Sequence, residues 1–167
     1  MLEQLNELLE MQYALDEAIL KEHGNVYDEK IAEQMKIALF VELGEMMNEL
    51  PTKFKCWKKT AKDNKEKALV EYVDALHFAL SLLNYRKYGL CSIRDYDDDS
   101  NKELLNGVST LFKTIGLIVR FEKEENFVFV LNCLFDIGNY IGFTWDEIYK
   151  AYKDKNIVNY ERLKSGY

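Results

Sequence analysis

Residues 42–78 decide the fold and read ELGEMMNELPTKFKCWKKTAKDNKEKALVEYVDALHF. Two carboxylate pairs with the same spacing lie in this stretch, Glu42-x-x-Glu45 and Glu71-x-x-Asp74. Residues three or four apart share a helix face, so each pair should line one stripe of its own helix. The loop that begins at Pro51 allows the two helices to face each other in antiparallel fashion. The pattern therefore predicts that four carboxylates converge at one point.

Four like charges in one groove repel each other strongly unless a cation lies among them. Carboxylate oxygens are good ligands for Mg²⁺, and protein-bound Mg²⁺ usually contacts substrate phosphates as well. A lone E-x-x-E pattern is common on solvated helices and carries little weight by itself. Here both pairs are flanked by apolar residues, which indicates buried helices whose charges need partners or a metal. We therefore expect a Mg²⁺ site.

The composition predicts one domain that spans residues 1–167 and acts in the cytoplasm. A net charge of −7 argues against nucleic acid as a partner, although a nucleotide can be bound through Mg²⁺ and a few cations. Three dispersed cysteines without a C-x-x-C pattern argue against a zinc site or a disulfide framework. The start of the chain lacks a basic and apolar leader, so we expect no signal peptide, and no apolar run predicts a membrane span.

Helical periodicity predicts an all-α fold, a bundle of about six helices. Local signals set their ends: Asp28 and Asn64 as caps, Gly24 as a stop, and Thr144 with Glu147 as a capping box. We expect residues 122–126 to form a polar break. The predicted helices cover approximately residues 2–22, 28–50, 64–88, 100–121, 126–141 and 145–163.

Two basic regions could contact a polyphosphate, although each is also compatible with ordinary solvated surface. The first is the lysine-rich loop of residues 51–64, which includes Trp57 and Lys58 and directly follows the first carboxylate pair. The second is one face of the last helix, where steps of three, four and three align Tyr152, Lys155, Asn159 and Arg162.

Taken in order, these motifs resemble one family. They are Gln12-x-x-Leu15-Asp16, the two carboxylate pairs, Phe54-Lys55-Cys56-Trp57-Lys58, His77-Phe78, and Lys155-Asn156-x-x-Asn159-x-x-Arg162. Together they span nearly the whole chain. They resemble the dimeric all-α dUTP diphosphatases of phages and Gram-positive bacteria, which belong with the MazG-like enzymes to the all-α NTP pyrophosphatases.

The resemblance implies Mg²⁺-dependent hydrolysis of dUTP to dUMP and pyrophosphate, with activity on dUDP and a role in limiting uracil incorporation into DNA. It also implies a homodimer in a bacterial or phage-infected cytosol, with apolar faces such as those of the fourth and fifth predicted helices at the interface. No nucleic acid or membrane partner is implied.

The resemblance also assigns roles to residues. Two or more Mg²⁺ ions would be held by the four carboxylates, and Glu42 would be the general base for the attacking water. The remaining roles are phosphate binding by Lys155, Arg162 and Lys58, and base or sugar binding by Gln12, Asp16, Trp57, His77, Phe78 and Asn159, with His77 on the sugar hydroxyl.

Two positions depart from the family pattern. Asp16 stands where asparagine is usual, and an ionised carboxylate can only accept hydrogen bonds. It could accept the N3 proton of uracil but would leave O4 to Gln12, and the amino group of cytosine would suit it about equally. The preference between uracil and cytosine therefore stays open, and an enzyme for dCTP or other nucleotides is the alternative. The second departure is Leu163, where Arg-Gln is usual.

Two further classes of protein share part of this pattern. A di-iron bundle needs Glu-x-x-His on two helices, and only Asp74-x-x-His77 comes near that pattern. A helical interaction module with solvated carboxylates is the non-enzyme alternative.

Overall fold

The computed structural model describes residues 1–87, 90, 93–96, 116 and 124–166. In this part of the chain there are five long helices and no strand, which confirms the all-α prediction. The helices are α1 Leu2–Glu22, α2 Glu29–Asn48, α3 Lys65–Arg86, α4 Glu124–Ile141 and α5 Trp145–Ser165. The helix predicted over residues 100–121 lies outside the described residues, so the number of helices stays a prediction.

The helix ends follow local capping chemistry. The carboxylate of Asp28 accepts the backbone N–H of Ile31 at 2.9 Å, and the amide oxygen of Asn64 accepts that of Lys67 at 3.1 Å. Thr144 and Glu147 form a complete capping box at the start of α5. These contacts confirm the starts predicted for α2, α3 and α5.

Two local predictions were wrong. Residues 124–126 are helical and belong to α4 rather than to a polar break. The connection after α2 is also not entirely loop, because Pro51–Lys53 forms a short 3₁₀ turn and Asp63 accepts the N–H of Thr52 at 2.9 Å.

Helix α3 is the centre of the fold, because it packs against α1, α2, α4 and α5. Its most extensive contact is with α2, the helix that carries the other carboxylate pair. The buried apolar side chains form one core; the fully buried members on α2 and α3 are Ala32, Leu43, Met46, Ala68, Tyr72, Val73, Ala75, Leu76, Leu80 and Leu83. This packing fixes the two carboxylate pairs relative to each other.

One close approach requires a glycine on α4. The hydroxyl of Tyr72 donates to the carbonyl of Leu134 at 2.8 Å, and that of Tyr96 donates to the carbonyl of Phe143 at 2.9 Å. A Cβ atom on Gly138 would lie 2.6 Å from the Tyr96 oxygen and 2.9 Å from the Tyr72 oxygen. A side chain there would therefore push α4 away from α3.

Within the described ranges, no single helix is long and apolar enough to cross a membrane. The segments Val128–Ile141 and Trp145–Ser165 meet that criterion only when taken together, and they are bent by 112° relative to each other.

Candidate functional site

Three of the predicted carboxylates form an acidic cluster between α2 and α3. Carboxylate oxygens of Glu42, Glu45 and Glu71 all lie within 4.8 Å of one another. Glu42 and Glu71 are partly buried, and Glu45 is exposed. Three carboxylate oxygens at this spacing, two of them on partly buried side chains, suit a divalent cation that prefers hard oxygen ligands.

The electrostatics of this acidic cluster favour a cation. The pKa of Glu42 is raised to about 7, first by burial and then by the negative charges of Asp74, Glu45 and Glu71, while Lys155 opposes them. Burial also raises the pKa of Glu71, with Asp74 the next cause. Without a positive charge among them, these groups tend to retain protons.

The fourth predicted carboxylate has a different partner. Asp74 forms an ion pair with Lys155 of α5, and both side chains are largely buried. Asp74 still lies near Glu42, since its charge is the largest electrostatic influence on the pKa of that residue. The structure therefore places a cation of α5 directly beside the acidic cluster.

A cavity of about 330 Å³ opens next to the acidic cluster. Nine of the residues predicted for the site line it; they are Gln12, Asp16, Glu42, Asp74, His77, Phe78, Lys155, Asn159 and Arg162. Acidic and basic groups lie on its walls together with polar and aromatic groups of α1 and α3. Leu163, the second position that departs from the family pattern, also lines the cavity and gives it an apolar wall there.

A buried hydrogen-bonded network links α1, α3 and α5 at this cavity. The amide oxygen of Gln12 accepts the hydroxyl of Tyr152 at 2.6 Å and lies 2.6 Å from Nδ1 of His77. The amide nitrogen of Gln12 donates to Oδ1 of Asp16 at 2.7 Å. Gln12 is only 4% exposed, so its hydrogen bonds are shielded from water.

The network fixes the state of His77. Burial lowers its pKa to about 3, with the nearby charge of Lys155 as the second cause, so the ring is neutral near pH 7. An amide oxygen can only accept, so Nδ1 carries the hydrogen and Nε2 is left with a lone pair. Nε2 is buried and has no hydrogen-bond partner. It is therefore an unpaired acceptor on a residue that lines the cavity.

Asp16 is the second residue of the network with a polar atom that makes no hydrogen bond. Burial raises its pKa to about 6, and the Ser81 hydroxyl and the Gln12 amide oppose this shift. Its Oδ2 atom is buried and has no hydrogen-bond partner of acceptable geometry. Unpaired buried polar atoms are rare in folded proteins, and they often mark a place where a ligand binds.

Sequence reasoning gave no role to three residues that build this region. Tyr152 supports Gln12 and stacks on His77, and Tyr27 shares a hydrogen bond of 2.8 Å with Ser81 beside Asp16. For Tyr152 a signal existed, since it lies three residues before Lys155 on the same helix face.

Two predicted residues lie elsewhere. Trp57 is 72% exposed, Lys58 is also exposed, and neither lines the cavity. Their contacts with a base and with phosphates therefore stay predictions.

An all-helical protein with an acidic cluster, adjoining cations and a cavity lined by polar and aromatic groups belongs to the class of nucleotide hydrolases. The family model for dUTPase matches residues 4–167, so the chain belongs to the dUTPase family, as the resemblance indicated. The protein is a dUTP diphosphatase that hydrolyses dUTP. Among curated proteins, the comparison found no match.

Proposed function

We propose that this dUTPase hydrolyses dUTP to dUMP and pyrophosphate in the cavity beside the acidic cluster, with Mg²⁺ as cofactor. The observation that carries the proposal is the approach of the Glu42, Glu45 and Glu71 oxygens to within 4.8 Å of one another at the edge of that cavity. Negative charges held this close are stable together only when protons or a cation compensate them.

Glu42, Glu45 and Glu71, together with Asp74, would hold the metal. Bound Mg²⁺ supplies charge neutralisation for the phosphates. Glu42 accepts the proton of the attacking water, because it lines the cavity and combines a carboxylate with partial burial. The number of ions, two or more in the prediction, is part of the proposal.

Lys155 and Arg162 bind the phosphate oxygens. Both line the cavity on α5, on the side of the acidic cluster where Lys155 already contacts Asp74. Charge-assisted hydrogen bonds to the leaving pyrophosphate strengthen as negative charge develops on it.

The base and sugar occupy the end of the cavity formed by α1 and α3. Gln12 and Asp16 face the base, Phe78 packs against the nucleoside, and Nε2 of His77 accepts a hydrogen bond from the sugar hydroxyl. Support comes from the unpaired lone pair of His77 and from its neutral ring. Asn159 lines the same cavity and offers a further amide.

The protein acts as a homodimer in the cytosol, as one domain of residues 1–167. Support for self-association comes from an apolar stripe on α2, where Ile37, Phe40 and Val41 are 64%, 46% and 45% exposed. A helix face of this kind is typical of an interface between subunits. Sedimentation of the wild type should give about twice the mass of the chain, and a monomer at micromolar concentration would contradict the dimer.

The test of the proposed reaction is pyrophosphate release from dUTP and from the eight common ribo- and deoxyribonucleoside triphosphates, with Mg²⁺ and with a chelator. We expect dUTP to be hydrolysed fastest and all activity to disappear with the chelator. dUDP, assayed by phosphate release, should also be a substrate. Undiminished dUTP hydrolysis after complete metal removal would contradict the metal assignment, and release from other triphosphates alone would contradict the substrate.

A further inference from the structure

Recognition of uracil requires a hydrogen-bond donor for O4 and an acceptor for the N3 proton. The sequence suggested Gln12 as the donor for O4. In the structure the oxygen of Gln12 is shared by Tyr152 and His77, and one of the two hydrogens on its amide nitrogen is donated to Asp16. One amide hydrogen of Gln12 is left for a base, so the state of Asp16 decides whether the network offers a second donor.

Asp16 can supply this donor when it is protonated. Its Oδ1 atom accepts the amide of Gln12, whereas Oδ2 makes no hydrogen bond to the described residues, although the nearby Ser81 hydroxyl lowers the pKa of the carboxyl. A proton on the carboxyl therefore belongs on Oδ2, because a proton on Oδ1 would point at the N–H of Gln12. In this state Oδ2 donates and Oδ1 still has a lone pair to accept.

We propose that Asp16 determines base selectivity as a protonated carboxyl, which donates from Oδ2 to O4 of uracil and accepts the N3 proton at Oδ1. This inference rests on the proposed function, because the base must lie at this end of the cavity. Its consequence is that ionisation of Asp16 removes the preference for uracil over cytosine.

The opposite pattern of cytosine explains this consequence. Cytosine has an amino group where uracil has O4, so its N–H would point at the Oδ2 hydrogen of protonated Asp16. After ionisation both oxygens only accept, so O4 of uracil is repelled, whereas the amino group of cytosine is accommodated but its N3 lone pair is not; each base then has one mismatch and neither is preferred. An uncompensated mismatch at a buried site costs roughly tenfold to a hundredfold in affinity.

The surroundings of Asp16 allow both states near neutral pH. Burial is the main cause that raises its pKa to about 6, and the negative charge of Glu17 acts in the same direction. Burial also raises the pKa values of Tyr27 and Tyr152, and it lowers that of His77, so all three stay neutral in this range. The other titratable or charged groups that line the cavity are His23, Glu42, Asp74, Lys155 and Arg162.

The experiment measures kcat/KM for dUTP and dCTP with Mg²⁺ between about pH 5.5 and about pH 8. The ratio of the two values is the readout, because the titration of Glu42, of metal ligands and of the triphosphate affects both substrates equally. We expect the dUTP/dCTP ratio of the wild type to fall by roughly tenfold or more as pH rises.

Two variants make the test specific. Asp16→Asn carries a donor and an acceptor that do not titrate, so its ratio should not change with pH. Glu17→Gln removes the exposed neighbouring charge on the same helix, and its ratio should still fall with pH.

Two results would overturn the inference and separate it from the proposed function. If the wild-type ratio is constant or rises with pH while Asp16→Asn lowers dUTP turnover, Asp16 contacts the base without the proton proposed here, and the proposed site stands. If Asp16→Asn changes kcat/KM for neither substrate at any pH, the base does not bind at this end, and the base assignment in the proposed site fails as well.

Discussion

The ring of His77 stacks on that of Tyr152, with centroids 3.9 Å apart and planes inclined by 14°. Both side chains also share the amide oxygen of Gln12. Helices α3, α5 and α1 are therefore joined at one buried point, which lies at the wall of the cavity. The same contacts that stabilise the fold hold the neutral histidine in one orientation.

Tyr152→Phe tests this coupling. The variant keeps the stacked ring but loses the donor to Gln12, and we expect a loss of about 1 kcal/mol in the free energy of unfolding. We also expect a higher KM for dUTP, because Gln12 and His77 are held less firmly. Urea unfolding and steady-state kinetics measure the two effects. Tyr149→Phe is the control, because the hydroxyl of Tyr149 donates its hydrogen bond to Glu7 at the surface. Equal effects of the two variants would contradict a special role for Tyr152.

Much of the fold could be predicted, because the signals that set it are local. Caps such as Asp28 and Asn64 act within three residues, and the carboxylate spacing places Glu42 and Glu45 on one helix face by geometry alone. The prediction of a polar break was wrong at residues 124–126 for a related reason, because glutamate is common in loops and is also a good helix former.

The parts of the site that could not be predicted depend on contacts between distant residues. Tyr152 meets Gln12 across 140 positions, and Lys155 meets Asp74 across 81. No periodicity within a helix contains this information, because it is set by how whole helices pack. The sequence could therefore nominate the residues of the cavity but could not state their hydrogen bonds.

Removal of any predicted metal ligand should abolish turnover. The variants are Glu42→Gln, Glu45→Gln, Glu71→Gln and Asp74→Asn. Each removes a negative charge that the metal requires. A Gln at position 42, 45 or 71 relieves repulsion, so the metal-free fold of these three variants should keep its stability, whereas Asp74→Asn also breaks the ion pair with Lys155. Pyrophosphate release and Mg²⁺ titration measure the losses, and circular dichroism checks the fold. Glu49→Gln is the control, because Glu49 lies outside the group of three close carboxylates. Wild-type activity in any two of the four variants would show that the metal binds elsewhere.

Lys155→Ala and Arg162→Ala should raise KM for dUTP and lower kcat. Both cations line the cavity, and their interactions with phosphate strengthen as charge develops on the leaving group. Loss of a charge-assisted contact of this type costs roughly 2–4 kcal/mol in kcat/KM. Lys58→Ala should have a smaller effect, because Lys58 is exposed and does not line the cavity. If Lys58→Ala were the most damaging of the three, the phosphates would bind elsewhere.

Gly138→Ala should destabilise the protein, whereas Gly44→Ala should not. The new methyl at 138 would overlap the hydroxyls of Tyr96 and Tyr72, and overpacking of this type costs about 1–3 kcal/mol. Gly44 also lies in a helix, but nothing approaches its Cβ position within 4 Å, so alanine should stabilise α2 by about 0.5–1 kcal/mol. Thermal or urea unfolding distinguishes the two. Equal stability of the variants would show that α4 does not pack on Tyr72 and Tyr96 as described.

The final prediction concerns how stability depends on pH in the metal-free protein. Burial raises the pKa of Asp16 to about 6 in the fold, from an ordinary value of 3.8. The folded state therefore binds this proton more tightly than the unfolded chain, and the contribution of Asp16 to stability falls as pH rises from about 4 to about 6. Above that range the ionised carboxylate remains in a buried place that suits its neutral form.

Asp16→Asn cannot ionise, so it should be more stable than the wild type by about 1–3 kcal/mol near pH 7.5, and the difference should nearly vanish near pH 4. Urea unfolding of both proteins with a chelator, at the two pH values, measures this difference. Glu17→Gln is the control, because Glu17 is exposed and its replacement should change stability little at either pH. A difference that does not change with pH would mean that the fold does not raise the pKa of Asp16, and the protonated carboxyl proposed for recognition of uracil would then be absent near neutral pH.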